Sequence, residues 1–348
     1  MRIFLTHVAS KSFSMKEGIS LAATNFSHNL ISGGGFHKTY SILPAFVNTQ
    51  PLDSESGIHI EYSFLRRTPL RKLAPIVEQW NLFRKIPRNA TVWLYNYTLL
   101  NAFLVKFLRW FKPSVKVFTI VLDFTPGDPG SERWLPAINE SDGRILLSTS
   151  DLFNQTNSYC LPGVVPTGEV HFPTISKPLP EFLISGALGD NISLLSRLLP
   201  AFVKLPEAKL HICGIAPDFI QDYIGKYPNI LYHGKVSYEQ FNQLLNSVPF
   251  LLSTRDPKMP ENQCNFPSKI IEGLLHNRII ISTIDYPQLG SIKYLKVDAD
   301  DLVGEIRRIL MLPDDELLSY ANQSEQTCRS FNTDVWNQVM TCLEQSVI

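Results

Sequence analysis

NFPSKIIEGLLHNRIIIST, residues Asn265–Thr283, reads as a loop, a helix and a buried strand. Pro267 suits a first helical turn, where its missing N–H costs nothing, and Ser268 or Asn265 can cap that turn. Ile270, Ile271, Leu274 and Leu275 form the apolar stripe of an amphipathic helix. Ile279, Ile280 and Ile281 form the short continuous run expected of a strand covered on both faces. Polar residues gather at the helix start: Ser268, Lys269 and, one turn on, Glu272. Free N–H groups and the positive end of the helix dipole make that start an anion site. A carboxylate one turn in can accept two vicinal sugar hydroxyls. These are parts for holding a nucleoside diphosphate.

The strand–helix rhythm extends in both directions. Towards the N-terminus, strands are predicted at Arg2–Val8, Ile58–Phe64, Thr91–Tyr97, Val115–Leu122 and Arg144–Thr149. Helices are predicted at 17–32, 73–83 and 101–111, with Ala9–Lys16 a polar loop. Gly33-Gly34-Gly35 stops the first helix; it follows a helix rather than a strand, so it is no dinucleotide fingerprint. His37 comes just after it and is a weak candidate for substrate contact. Residues 161–180 carry Pro162, Gly163, Pro166, Gly168, Pro173, Pro178 and Pro180, a linker by composition. Beyond it, strands at Glu181–Ala187, Lys209–Gly214, Ile230–His233 and Pro249–Ser253 alternate with helices at 191–204, 217–226 and 237–246. The last opens with Ser237 and Gln240 at capping-box spacing. The alternation predicts α/β architecture with two parallel, doubly wound sheets.

The run P-S-K-x-x-E opening a helix, followed by an apolar strand ending in small hydroxyl residues, resembles the donor-binding signature of retaining GT-B glycosyltransferases of the family 4 type. The resemblance covers residues 181–290 in motif and 1–160 only in pattern. It implies two Rossmann-like domains facing a cleft: an acceptor domain at 1–165 and a donor domain at 166–330. A last helix in 331–348, with Trp336 and Leu343, packs back toward the N-terminal domain. By resemblance Ser268 and Lys269 meet the donor diphosphate, Glu272 binds the ribose, and Gly186 brackets the first loop of the donor domain. Asp123, at the end of a central strand in VLDFTPGDPG, would face the acceptor and the transferred sugar, with Asn96 and Tyr97 weaker candidates; a turn role before Pro126-Gly127 fits Asp123 equally. Closure would bring Asp123 and the Gly33–Gly35 loop to the donor sugar.

Two departures stand out. The family often follows its first donor-domain strand with Gly-Arg-Leu and a later Lys; here SGALGDNIS has neither cation. Arg255, Lys258 and Lys269 are left to neutralise the diphosphate, and Arg255, directly after the strand LLST, is placed to reach it. The family's pair of Glu residues eight apart is also broken: Cys264 stands eight before Glu272, with Glu261 a partial substitute. The catalytic candidates are therefore Asp123, Arg255 and Lys269.

Composition bounds the rest. At 348 residues the chain suits two domains, and 44% hydrophobic with 18% charged residues is globular. No signal peptide and no membrane span is expected. Five scattered cysteines, Cys160, Cys213, Cys264, Cys328 and Cys342, suit reduced thiols in a cytoplasm. Net charge is zero, but residues 1–175 carry +5 and 176–348 carry −5. The basic groups at 66–72, 84–88 and 106–112 suit anionic lipid or a pyrophosphate-bearing acceptor. The helix at 101–111, with Phe103, Phe107, Trp110 and Phe111 beside Lys106 and Arg109, suits either a core or a bilayer interface. Nucleic acid is not an expected partner. Asp300-Asp301 reads as a helix start, so no divalent metal and no cofactor is expected; the nucleotide sugar is the substrate. The expected activity is sugar transfer to a glycan or polyprenyl-linked acceptor in surface-polysaccharide synthesis, at the inner face of a plasma membrane. The alternatives are a sugar-nucleotide epimerase and a non-catalytic GT-B-fold binding protein.

Overall fold

A computed structural model describes residues 1–50, 57–168 and 172–347; of the proline-rich stretch 161–180, residues 169–171 lie outside the described ones. The chain divides into two compact units, 1–167 with 331–348, and 168–330.

The first unit holds a seven-stranded, all-parallel sheet. Its strands are β1 (Arg2–Thr6), β2 (Lys38–Ile42), β3 (Ile58–Glu61), β4 (Thr91–Tyr95), β5 (Lys116–Val121), β6 (Gly143–Leu146) and β7 (Ser158–Cys160), in the order 3-2-1-4-5-6-7. The second unit holds β8 (Glu181–Ala187), β9 (Lys209–Ile215), β10 (Ile230–Gly234), β11 (Phe250–Ser253), β12 (Ile279–Ser282) and β13 (Leu295–Lys296), ordered β10-β9-β8-β11-β12-β13. Both sheets are doubly wound, and each reverses direction beside its first strand, between β1 and β4 and between β8 and β11. Parallel strands covered on both faces must be apolar throughout. Ile279, Ile280 and Ile281 are fully buried, as are Val92, Trp93 and Leu94.

Several sequence expectations are corrected. Residues 9–16 are not a loop throughout: Ser10 caps a helix at Lys11–Lys16, and Ser20 caps a second at Leu21–Gly33. Strands β2, β7 and β13 were not anticipated, β2 because Lys38, Thr39 and Ser41 leave only Tyr40 and Ile42 apolar. The helix at 191–204 is two, Asp190–Ser193 and Leu195–Val203, broken where Leu194 takes φ +48°. Only a 3-10 turn, Asp218–Asp222, forms within 217–226. The Ser237–Gln240 capping box is present, and Asp301 caps the helix Leu302–Leu310.

The last helix, Thr333–Gln345, belongs to the first unit. Trp336 is fully buried, donates to the Gly163 carbonyl at 2.7 Å and packs edge-on to Phe26. Glu344 accepts from the Arg2 guanidinium at 2.7 and 3.0 Å and from the Trp93 indole at 2.7 Å. Gly33 lies against Thr333, and a Cβ on Gly35, itself at φ +67°, would come 2.9 Å from Asn337 Oδ1. The Gly33–Gly35 run therefore sits where the chain re-enters the N-terminal edge of the sheet. It makes room for this helix, not for a ligand at the strands' carboxyl ends. His37 is on the same wrong edge, its Nδ1 accepting the Arg2 N–H at 3.1 Å.

A second buried anchor is ionic. Arg66 and Glu78 are fully enclosed, joined at 2.6 and 2.7 Å, and Arg66 also donates to the carbonyls of Leu43, Pro44 and Val47. Among the described residues, no helix is long and apolar enough to cross a membrane. Replacing Glu78 by Gln strands a buried guanidinium and is expected to cost about 3–5 kcal/mol; Arg66→Met with Glu78→Leu recovers only part of the loss, because the carbonyls of Leu43, Pro44 and Val47 then lack a donor. All five tryptophans (80, 93, 110, 134, 336) lie in the first unit, so urea unfolding followed by intrinsic fluorescence reads this directly.

Candidate functional site

In open α/β sheets a ligand crevice forms outside the carboxyl ends of the strands where the winding reverses. In the second unit that place lies between β8 and β11. These strands pair only at Phe182–Phe250 and Leu183–Leu251. Beyond those pairs the ends part: Ser185-Gly186-Ala187 on one side, Ser253-Thr254-Arg255 on the other. A cavity of about 190 Å³ opens there, lined among others by Ser185, Ser193, Thr254, Arg255, Pro267 and Lys269.

The helix from the opening motif, Ser268–Leu275, delivers its first turn to this cavity. Its apolar stripe fixes the approach: Ile270, Ile271 and Leu274 are buried, and Gly273 lets the helix come close, since a Cβ there would collide with Leu251 and Ile280. At its far end Asn277 (φ +65°) turns the chain, and the Arg278 N–H reaches back to the Gly273 carbonyl at 2.9 Å, a Schellman closure. The Arg278 side chain then ties the carbonyls of His276, Asn246 and Pro173 together. Pro267 is the N-cap residue rather than part of the first turn, and no side chain caps the helix; Ser268 is exposed. The start thus keeps donors that a side-chain cap would have occupied.

Lys269 crosses from this helix to the end of β8, where its ammonium donates to Ser185 Oγ at 2.8 Å and lies 5.3 Å from the centre of the Phe241 ring. It can do so because residue 186 is glycine. Gly186 takes φ +121°, and a Cβ there would stand 2.9 Å from Lys269 Cε. Gly186 contributes by making room for a cation at the end of β8. Burial lowers the Lys269 pKa, opposed by the Glu272 charge. Burial raises the Glu272 pKa, opposed by Lys269. Glu272 is half-buried, one turn into the helix and outside the cavity lining.

Arg255 has a fixed backbone: its N–H donates to Thr283 Oγ1 at 2.8 Å, and that hydroxyl donates to the Arg255 carbonyl at 2.5 Å. Thr283, the hydroxyl residue that ends the opening stretch, thus holds the arginine at the cavity. Tyr286, fully buried nearby, has its pKa pushed up to about 12 by burial against the opposing Arg255 charge. Lys258 instead lies 3.4 Å from Asp300, exposed, and neither it nor Glu261 nor Cys264 lines the cavity.

The first unit has its own reversal point between β1 and β4. Asp123 is exposed two residues past β5, close enough that its charge adds to burial in raising the Tyr95 pKa. Asn96 adopts φ +54° and accepts the Leu122 N–H at 2.7 Å, so it shapes this edge. Sequence reading missed His7, directly after β1. It is buried, and burial lowers its pKa to about 4. Nδ1 lies 3.2 Å from the Ile42 carbonyl, and Nε2 3.3 Å from Thr98 Oγ1, a set that suits the neutral ring. A histidine ending the first predicted strand of a βα unit was the signal available.

No protein-family model and no curated protein sequence matches the chain. Solved structures do. The lipopolysaccharide outer core galactosyltransferase WaaB, in its apo form, is 18% identical over 100% of both chains, with a TM-score of 0.62. Anabaena Alr3699/HepE in complex with UDP and glucose is 11% identical over 99% of both, with a TM-score of 0.61. TarM is 15% identical with a TM-score of 0.58; the match covers 76% of this chain and 57% of TarM. These likenesses, with two parallel sheets that each reverse beside their first strand, show that the chain has the GT-B glycosyltransferase fold.

Proposed function

We propose that the protein is a glycosyltransferase that moves a sugar from a nucleotide-diphosphate donor to a glycan or lipid-linked acceptor, with retention at the anomeric carbon, in surface-polysaccharide synthesis. The observation that carries this reading is the meeting of Lys269, Arg255 and an uncapped helix start at the β8–β11 crevice. Two cations and free N–H groups at one cavity suit a diphosphate. HepE, which shares the fold, is described in complex with UDP and glucose.

In this reading Ser268, Lys269 and Arg255 hold the diphosphate, and Glu272 accepts hydroxyls of the ribose. As the bond between the sugar carbon and the diphosphate oxygen breaks, its electron pair leaves with the nucleotide, the acceptor hydroxyl oxygen bonds that carbon, and the hydroxyl proton passes to the released diphosphate. Lys269, Arg255 and the helix dipole stabilise the developing charge, the work a metal does in other transferases. Asp123 acts on the acceptor side, orienting a hydroxyl of the acceptor or of the transferred sugar.

Titration calorimetry with UDP and GDP, without added metal, tests the donor assignment. Glu272→Ala is expected to weaken binding at least tenfold and Lys269→Met by about 30–100-fold, in line with about 1.5–3 kcal/mol for a hydrogen bond to a charged group. Unchanged binding in both variants would place the nucleotide elsewhere. Tight UDP binding with neither donor hydrolysis nor transfer would favour a non-catalytic binder.

The pKa directions give a second test. Lys269 has its pKa lowered in the free protein, so its positive charge is lost at lower pH than for an ordinary lysine. UDP affinity is therefore expected to fall as pH rises through that lowered value, and binding there to take up protons, because the diphosphate restores the ammonium form. Calorimetry in two buffers of different ionisation enthalpy measures the uptake, which Lys269→Met should abolish.

A further inference from the structure

The segment 62–122 contains eleven Lys and Arg residues against a single carboxylate, Glu78. That carboxylate is buried on Arg66, so it offsets nothing at the surface. Lys85 and Arg109 pair with Glu61 and Asp142. Among the described residues no carboxylate lies within ion-pair distance of Arg67, Arg71, Lys72, Arg84, Arg88 or Lys106. An unbalanced surface of this size attracts a dense anionic partner.

The basic groups are not spread evenly. Arg67, Arg71 and Lys72 project from two consecutive 3-10 turns, Phe64–Arg67 and Arg71–Leu73, joined by Thr68-Pro69-Leu70. With Arg66 and Thr68 they line an open cup of about 460 Å³. The buried Arg66–Glu78 pair fixes the floor, and Thr68 bridges the turns, donating to the Leu65 carbonyl at 2.8 Å and accepting from the Leu70 N–H at 3.2 Å.

Apolar side chains rim the same surface. Phe64 is 76% exposed and Leu70 56%, one in and one between the turns. Leu73, just before the helix Ala74–Lys85, and Val77 and Trp80 on it continue as an exposed stripe at helical spacing, ending at Arg84. Trp80 meets Phe107 of the neighbouring helix Leu99–Phe111 edge-on at 5.2 Å. That helix ends in Trp110 and Phe111, 71% and 59% exposed, with Lys112 over the Phe83 ring. A soluble surface rarely leaves so many aromatics uncovered beside unpaired cations.

We infer that this face of the first unit docks on the surface of an anionic phospholipid bilayer, with lipid phosphates in the Arg66–Lys72 cup and Phe64, Leu70, Trp80, Trp110 and Phe111 in the headgroup layer. Charge complementarity selects a phosphate-bearing partner. The exposed tryptophans and phenylalanines select one with an apolar interior, as in interfacial helices. A nucleic acid would use the cations but leave the aliphatic Leu70, Leu73 and Val77 in water. The inference does not depend on the donor-site reading, because its residues lie in the first unit and the donor residues in the second.

The test is co-sedimentation of the full chain with vesicles of phosphatidylcholine alone or mixed with phosphatidylglycerol. Binding to the mixed vesicles only, weakened by high salt, is expected. The triple change Arg67→Glu, Arg71→Glu, Lys72→Glu should reduce partitioning on the order of a hundredfold or more. Trp110→Ser with Phe64→Ser, both mostly exposed and so tolerant of change, should reduce it several-fold. The urea-unfolding midpoint followed by tryptophan fluorescence, which reports the first unit, should stay close to the parent's in both variants, which separates loss of docking from loss of fold. No binding to mixed vesicles, equal binding to both kinds, or no effect of charge reversal overturns the inference. So does displacement by millimolar inorganic pyrophosphate with no effect of the aromatic changes, which would make the cup a site for a soluble phosphate. Binding of single-stranded RNA in preference to vesicles overturns it as well.

Discussion

The candidate site depends on one lysine reaching across a glycine. Lys269 starts on the helix after β11 and ends on Ser185 at the tip of β8, so its stem closes the gap where the sheet reverses direction. Three separate features permit that path. Gly273 lets the helix lie close to the sheet, Gly186 leaves no Cβ in the way, and the Schellman turn at Asn277 returns the chain into β12. A bulky residue at either glycine would shift the helix or the side chain, and the cation would no longer sit at the strand ends. The partial burial that lowers the lysine's proton affinity is the cost of that placement, and an anionic ligand bound there would offset it.

Much of this was legible in the sequence because the second unit follows its local signals closely. Three consecutive isoleucines after an amphipathic octet admit one reading, and Ser237 with Gln240 specify a cap whose two hydrogen bonds both form. Ser268, Lys269 and Glu272 stand out because polar groups at one helix start have no packing reason to cluster. The role of Gly186 was not legible. That a glycine clears the way for a side chain 83 positions later is a property of tertiary structure, which spacing along the chain does not carry. SGALGDNIS holds no cation, and the crevice's charge, Arg255 and Lys269, comes from other elements.

The first unit was harder to read. Gly33-Gly34-Gly35 and His37 look like loop chemistry, but the topology assigns loops alternately to opposite edges of a parallel sheet. A loop that follows a helix returns to the N-terminal edge, where the last helix already packs. His7 was overlooked because it closes an apolar strand and reads as its end, although a strand's carboxyl end is where a ligand would find it. The basic residues of 62–122 were visible as composition. Their exposure, and the spending of the one carboxylate on a buried arginine, required the fold.

The first unit is discontinuous in the chain, and its two ends are joined by Arg2, Glu344 and the Trp93 indole. During synthesis the second unit has all its strands before residues 333–345 exist. The first sheet waits with the Arg2 guanidinium and the Trp93 N–H lacking their carboxylate, and with the groove that will take Trp336 open to water. The order of assembly is thus opposite to the order of translation: the unit begun first is completed last. Until then its apolar seam is a surface that chaperones and proteases can find, and the same holds for any shortened chain that stops before Trp336.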